Sequence, residues 1–236
     1  MMVACIVLLV LGAISLALFL IEKVRKYSIK ETVIKGVTSA LFIALAVVAN
    51  IHNGFEDFGV FAIIGLSFGL IGDIFLDLKY VDLKHTRFHT FAGFIAFALG
   101  HICYIGGIVL TLPYPNLWYS YIGPLVFGLL CGVLVLVLEK PLKFNYGEYK
   151  WISFIYAIFL FTTVGTTFYL ALVHKMNITT YNMLFIAACL FAVSDLILCG
   201  TYFGEGRERP VDIVSNALTY YAAQYLIALS LYFLVI

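Results

Sequence analysis

The apolar positions of this chain fall in eight long runs, at about 3–22, 33–51, 58–78, 90–111, 118–138, 151–173, 180–201 and 212–235. Only short polar segments separate them. A helix rising 1.5 Å per residue needs about 20 residues to cross roughly 30 Å of hydrocarbon, so each run predicts a membrane-spanning helix. The first run has no basic segment ahead of it and Lys23, Arg25 and Lys26 just behind it, and is expected to stay as a helix. The predicted fold is all-α: one polytopic membrane domain over 1–236 with eight transmembrane helices.

Composition agrees with the pattern. Hydrophobic residues make up 64% and charged residues 11%, with a mean hydropathy of +1.07. Soluble domains carry about 25% charged residues. An integral protein of a bacterial inner membrane, or of an organelle membrane such as the endoplasmic reticulum, is expected. A net charge of +1 gives no reason to expect nucleic acid as a partner. Cys5, Cys103, Cys131, Cys189 and Cys199 lie in apolar runs without a CxxC pair and read as small buried hydrophobes, forming neither disulfides nor a zinc site. Trp118, Tyr119, Tyr121 and Trp151 stand at run ends, as interface anchors do.

Charge orients the bundle. Lys23, Arg25, Lys26, Lys30 and Lys35 follow the first run, Lys79, Lys84 and Arg87 the third, Lys140, Lys143 and Lys150 the fifth, and Arg207 and Arg209 the seventh. Of the 14 basic residues only Lys175 lies on the other side. The basic loops are therefore expected in the cytoplasm and both termini on the opposite face.

The third run, GLSFGLIGDIFLDLKY from Gly65 to Tyr80, holds Asp73 and Asp77. Carboxylates within a span cost at least about 2.5 kcal/mol and mark functional sites. Spacing of four puts Gly65, Gly69, Asp73 and Asp77 on one face, which is expected to look inward. Asp73 lies about 9 Å along its helix from Lys79, and Asp195 in the seventh run about 15 Å from Glu205. His101 and Tyr104 on the fourth helix, and the stripe Asn216, Tyr220, Gln224 on the eighth, fall at comparable depth. A weak internal similarity, Gly72-Asp73-Ile-Phe-Leu against Ser194-Asp195-Leu-Ile-Leu, suggests parallel four-helix halves, 1–113 and 114–236. Thr162, Thr163, Thr166 and Thr167 are expected to bond their own helix backbone.

Gly72-Asp73, with Phe91, Gly93, His101 and Tyr104 downstream, then Ser194-Asp195-Leu-Ile-Leu, Thr219-Tyr-Tyr-Ala-Ala-Gln224 and Leu226-Ile-Ala-Leu-Ser230, resembles the YhhN-like lysoplasmalogenases. The resemblance runs from the third helix to the eighth. It implies an eight-helix membrane hydrolase that cleaves the vinyl ether of a lysoplasmalogen drawn from the membrane, giving a fatty aldehyde and a glycerophosphoethanolamine or glycerophosphocholine, with no metal or other cofactor. Asp77 lies outside the shared pattern.

The chemistry suits paired acids. A vinyl ether opens when its β-carbon is protonated, and the oxocarbenium ion formed is attacked by water. Two neighbouring carboxyls in a dry site do not both ionise easily, so one can donate a proton while the other stabilises the cation and activates water. Asp73 and Asp195 are the expected catalytic pair, their order open. Asp77, His101, Tyr104, Ser194, Asn216, Tyr220, Tyr221 and Gln224 are candidates for substrate binding, and Lys79, Lys84, Arg87, Arg207 or Arg209 for the lipid phosphate. Two other readings stay open: a proton-coupled transporter or channel with a carboxylate relay, and a hydrolase with zinc on Asp73, Asp77, Asp195 and His101. No pair of Gly/Pro-broken helices favours the transporter, although Pro124 is expected to interrupt the fifth helix.

Overall fold

The computed structural model describes residues 1–25, 29–204 and 209–234. Eight long helices occur among them: α1 (Met2–Arg25), α2 (Ile29–His52), α3 (Asp57–Val81), α4 (Thr86–Thr111), α5 (Trp118–Val137), α6 (Lys150–Val173), α7 (Thr179–Phe203) and α8 (Pro210–Ser230). Lys26, Glu205 and Arg207 lie outside the described residues.

Connections are short, so consecutive helices form antiparallel hairpins. The turn between α2 and α3 closes on the Asn50 carbonyl, which accepts the N–H groups of Asn53 at 3.1 Å and Phe55 at 2.9 Å. Gly54 takes φ +84° there, a conformation glycine adopts without a Cβ penalty. Between α5 and α6, Asn145 N–H bonds the Phe203 carbonyl at 2.9 Å, tying the α5–α6 loop to the end of α7.

Packing places α8 against α7, α2, α1 and α3, while α4 meets α3 and α6. The neighbours α1–α2, α2–α3 and α3–α4 recur as α5–α6, α6–α7 and α7–α8. Helix α5 packs mainly on α6, and its outer side is apolar: Leu125, Val126, Leu130, Val133 and Val137 are exposed. Buried positions are in contrast rich in polar side chains, including Ser39, Asn50, Asp73, Asp77, His101, Thr163 and Gln224. Apolar outside and polar inside is the arrangement a bilayer solvent favours.

Seven of these helices are long and apolar enough to cross a membrane, which makes the chain a multi-pass membrane protein. The eighth expected span is the exception among the described residues. Helix α8 exists, but Asp212, Asn216, Thr219, Tyr220, Tyr221 and Gln224 lower its hydropathy, and Ala217, Tyr220, Tyr221, Ala223 and Gln224 are buried against its neighbours. A helix sheathed by protein does not need an apolar face all round. Pro124 does not interrupt α5, which runs through it: the Ser120 carbonyl that its missing N–H leaves free accepts the Tyr114 hydroxyl at 2.6 Å, and its ring packs under Gly165. Trp118 and Trp151 stand exposed at helix starts, as expected of anchors.

Candidate active site

The inward face of α3 is as its spacing predicts. Gly65, Gly69, Asp73 and Asp77 are all buried. The glycines make room for partners: a Cβ on Gly65 would lie 2.4 Å from the Tyr104 ring, and one on Gly69 would lie 2.7 Å from Gln224 Nε2. Those two side chains begin a chain of donors. Tyr104 hydroxyl donates to Gln224 Oε1 at 3.3 Å, Gln224 Nε2 donates to the Tyr220 hydroxyl at 2.9 Å, and Tyr220 donates to Asp73 Oδ2 at 2.8 Å. Ser39 on α2 adds a second donor to Asp73 Oδ2 at 2.6 Å, and Lys35 Nζ lies 3.3 Å from Oδ1.

One turn nearer the basic end, Asp77 Oδ1 receives Lys35 Nζ at 3.0 Å and Lys23 Nζ at 3.1 Å. Lys23 also pairs with the buried Glu31 at 2.7 Å. Among the described residues, two lysines thus lie between three carboxylates. Lysine side chains turned inward from helix ends in this way keep an apolar stem against the bundle and a charged head on its partner. Lys23 lies within cation–π range of Phe19, 5.5 Å from the ring centre.

Asp195 is placed differently. It lies eight residues from the end of α7, just as Asp73 lies eight residues from the end of α3, roughly 12 Å along either helix. Among the described residues it has no ion-pair partner. Its Oδ2 is hydrogen-bonded to the hydroxyl of Tyr156 on α6. The Tyr156 hydroxyl is also 3.5 Å from His101 Nε2, and His101 Nδ1 is 3.1 Å from Thr163 Oγ1. Thr163 gives its own proton to the Phe159 carbonyl at 2.9 Å, so it accepts from His101, whose Nδ1 carries a hydrogen. Next to Asp195, Ser194 and Asn216 pin α7 to α8: Asn216 Nδ2 donates to the Ser194 carbonyl at 2.8 Å and to Ser194 Oγ at 3.0 Å.

One polar cavity joins the two acids. Asp73, Asp77, Ser194, Asp195, Asn216, Tyr220 and Tyr221 all line it, together with Lys23 and Lys35, and it measures about 770 Å3 with its open mouth included. Three expected lining residues do not reach it. Gln224 and Tyr104 stand behind Tyr220 as the donor chain, and His101 stands behind Tyr156, because α4 packs on α3 and α6 and leaves the cavity wall to the tyrosines. Of the phosphate candidates, Arg207 lies outside the described residues and the other four stand away from the cavity. Arg87 pairs with Glu148 at 2.8 Å, Arg209 with Asp212 at 2.7 Å, and Lys79 lies over the Tyr202 ring, 3.1 Å from its centre. Neither these nor Lys84 lines the cavity. The zinc arrangement also lacks its geometry: Lys35 bridges Asp73 and Asp77, and His101 is screened by Tyr156.

Lys23, Lys35, Ser39 and Tyr156 were missed by sequence reasoning. Charge asymmetry accounted for the lysines fully, so nothing prompted a second role for them. The available signal was spacing: Lys35 and Ser39 lie one turn apart, and α2 begins at Ile29, which puts both on one face within the helix. Tyr156 is one of 16 tyrosines and carried no signal. The threonines behave as expected in part: Thr163 and Thr167 bond backbone carbonyls of their own helix, and Thr163 in addition accepts from His101.

The geometry defines a helical membrane protein with a buried acid-lined cavity open at its basic end. The YhhN family model matches residues 30–231, and the chain belongs to the YhhN family. The match includes α2, one helix more than the motifs alone indicated, and so takes in Lys35 and Ser39. Searches of curated proteins and of solved structures returned no match.

Proposed function

We propose that the protein is a lysoplasmalogenase, hydrolysing the vinyl ether of alkenyl lysophospholipids. The observation that carries this reading is that Asp73 and Asp195, from different helices, line one cavity in opposite surroundings. Family membership supports the reaction class.

Hydrogen-bond accounting assigns the roles. Asp73 accepts from Ser39 and Tyr220 and faces Lys35, which suits a carboxylate. The row Asp195, Tyr156, His101 has two gaps between heavy atoms, and each gap needs one hydrogen. Tyr156 supplies a single proton. Filling both gaps takes a second, carried either by Asp195 as a neutral acid or by His101 as an imidazolium opposite an ionised Asp195. With no cation beside Asp195 among the described residues and His101 fully enclosed, the uncharged arrangement avoids separating charge in a dry site. Asp195 is then the acid: its O–H donates a hydrogen bond to the Tyr156 hydroxyl, which donates to His101 Nε2.

The reaction closes on these two groups. Asp195 gives its proton to the β-carbon of the vinyl ether, whose π pair forms the new C–H bond and leaves an oxocarbenium ion. The carboxylate of Asp73, across the same cavity, favours that cation. Water adds to the cationic carbon and loses a proton to Asp73, giving a hemiacetal. On collapse the hemiacetal hydroxyl returns a proton to Asp195, the C–O bond breaks, and Asp73 gives its proton to the departing glycerol oxygen. Aldehyde and glycerophospho-alcohol are released, and both carboxyls regain their starting states.

The test is incubation of the purified protein with an alkenyl lysophospholipid and with its saturated alkyl analogue. Aldehyde from the first alone is the expected result. Release from neither, or from both, overturns the reading.

A further inference from the structure

Behind the polar cavity lies a second one, between α4, α5, α6 and α7, lined by Phe94, Val135, Ala157, Leu160, Phe161 and Phe203 among others. The two share Asp195, Leu198 and Tyr202. Spacings of three and four place these residues on one face of α7, so a single helical stripe divides the cavities. No charged side chain other than Asp195 lines the second cavity. Its outer rim includes half-buried Val135 on lipid-facing α5 and Leu196, which is 55% exposed, so it opens sideways toward the apolar surface of the bundle. Within it the Ser153 hydroxyl is buried without a hydrogen-bond partner among the described residues.

We propose that this cavity holds the hydrocarbon chain of a single-chain lipid whose polar end occupies the lysine- and acid-lined cavity. The proposal rests on the lysoplasmalogenase reading and adds the substrate's pose. A molecule lying across the α7 stripe places the bond between its polar head and its chain beside Asp195, the group common to both cavities. The unpartnered Ser153 hydroxyl makes the chain site imperfectly dry. Because hydrocarbon drawn from a bilayer leaves one apolar medium for another, the cavity gains little from desolvation and acts by fit. Its signature is therefore a limit on chain length and bulk.

Cys199 lines the same cavity and serves as reporter. In protein with Cys5, Cys103, Cys131 and Cys189 changed to alanine, reconstituted in nanodiscs, N-ethylmaleimide labelling of Cys199 is measured with a sixteen-carbon alkyl-ether lysophospholipid, which cannot be hydrolysed. The expected result is labelling slowed about fivefold or more by the lipid and unaffected by glycerophosphocholine, with the difference lost in Ala157→Phe. In parallel, Ala157→Phe lowers the ratio of sixteen-carbon to four-carbon alkenyl turnover about tenfold. Val135→Trp, approaching from the lipid side, replaces Ala157→Phe if that variant does not fold. Equal labelling with and without lipid, or an unchanged chain-length ratio, overturns the chain site. Protection of Cys199 without aldehyde release from any alkenyl lipid overturns the reaction and leaves the chain site standing, whereas aldehyde release without protection does the reverse.

Discussion

Asp73 and Asp195 are the same residue type, on helices with matching neighbours, each eight residues from the end of its helix, and their surroundings are opposite. Around Asp73, α2 brings a lysine and a serine and α8 a tyrosine, while a second lysine, from α1, pairs with Asp77 one turn away. Around Asp195, α6 brings one tyrosine, backed by a histidine. The first acid sits in an ion-paired network. The second ends a row of hydrogen bonds that runs through Tyr156 to His101. Under the proposed mechanism, acid and base are told apart by what the neighbouring helices carry, without any difference in the acids themselves.

The sharpest way to break the comparison is to neutralise each acid. Asp195→Asn keeps the shape and removes the proton for the slow step, so turnover of an alkenyl lysophospholipid is expected to fall by about 10⁴-fold. Asp73→Asn is expected to lower it by about 10³-fold, because bound water can still attack slowly without its base. Near wild-type aldehyde release from either variant removes that residue from the mechanism.

The ion-paired side is expected to answer for stability where the neutral side does not. Lys35→Met leaves buried Asp73 without its lysine and Asp77 with Lys23 alone, and costs about 3 to 5 kcal/mol, read as a lower unfolding midpoint. Adding Asp77→Leu recovers part of the loss. An additive double variant would show that Lys35 and Asp77 do not act as a pair.

Tyr156→Phe removes the hydroxyl bonded to Asp195 and breaks the link to His101. A hydrogen bond between uncharged groups is worth about 0.5 to 1.5 kcal/mol, so a loss of turnover of about threefold to tenfold is expected, with little change in the lipid's apparent KM. The smallest effect is expected outside the cavity. Arg87→Ala breaks only an exposed pair with Glu148, worth at most about 1 kcal/mol, and leaves turnover within about twofold. A large rise in KM for Arg87→Ala would restore the surface basic residues as phosphate ligands.

Much of the site was legible because bilayer physics makes polarity conspicuous. Asp73 and Asp195 stand out in apolar runs, and spacing alone turned Gly65, Gly69, Asp73 and Asp77 to one face. Ser194, Asn216, Tyr220 and Tyr221 were found in the same way. His101, Tyr104 and Gln224 were placed at the right depth and in the wrong layer, since depth follows from counting residues along a helix and direction about the bundle axis does not. Lys23 and Lys35 were hidden by a sufficient explanation, their position in basic loops.

The linear chain alone determined that this is a helical membrane protein, how long its apolar runs are, and at which level its acids lie, because rise per residue and transfer cost are local properties. Tertiary packing decided which acid receives a lysine and which is backed by Tyr156 and His101, that α8 buries Tyr220, Tyr221 and Gln224 against its neighbours while Leu218 stays exposed, and that a polar and an apolar cavity meet at Asp195. Those depend on which helices become neighbours, and contacts between residues as far apart as Ser39 and Tyr221, at 3.2 Å, are written in no local pattern.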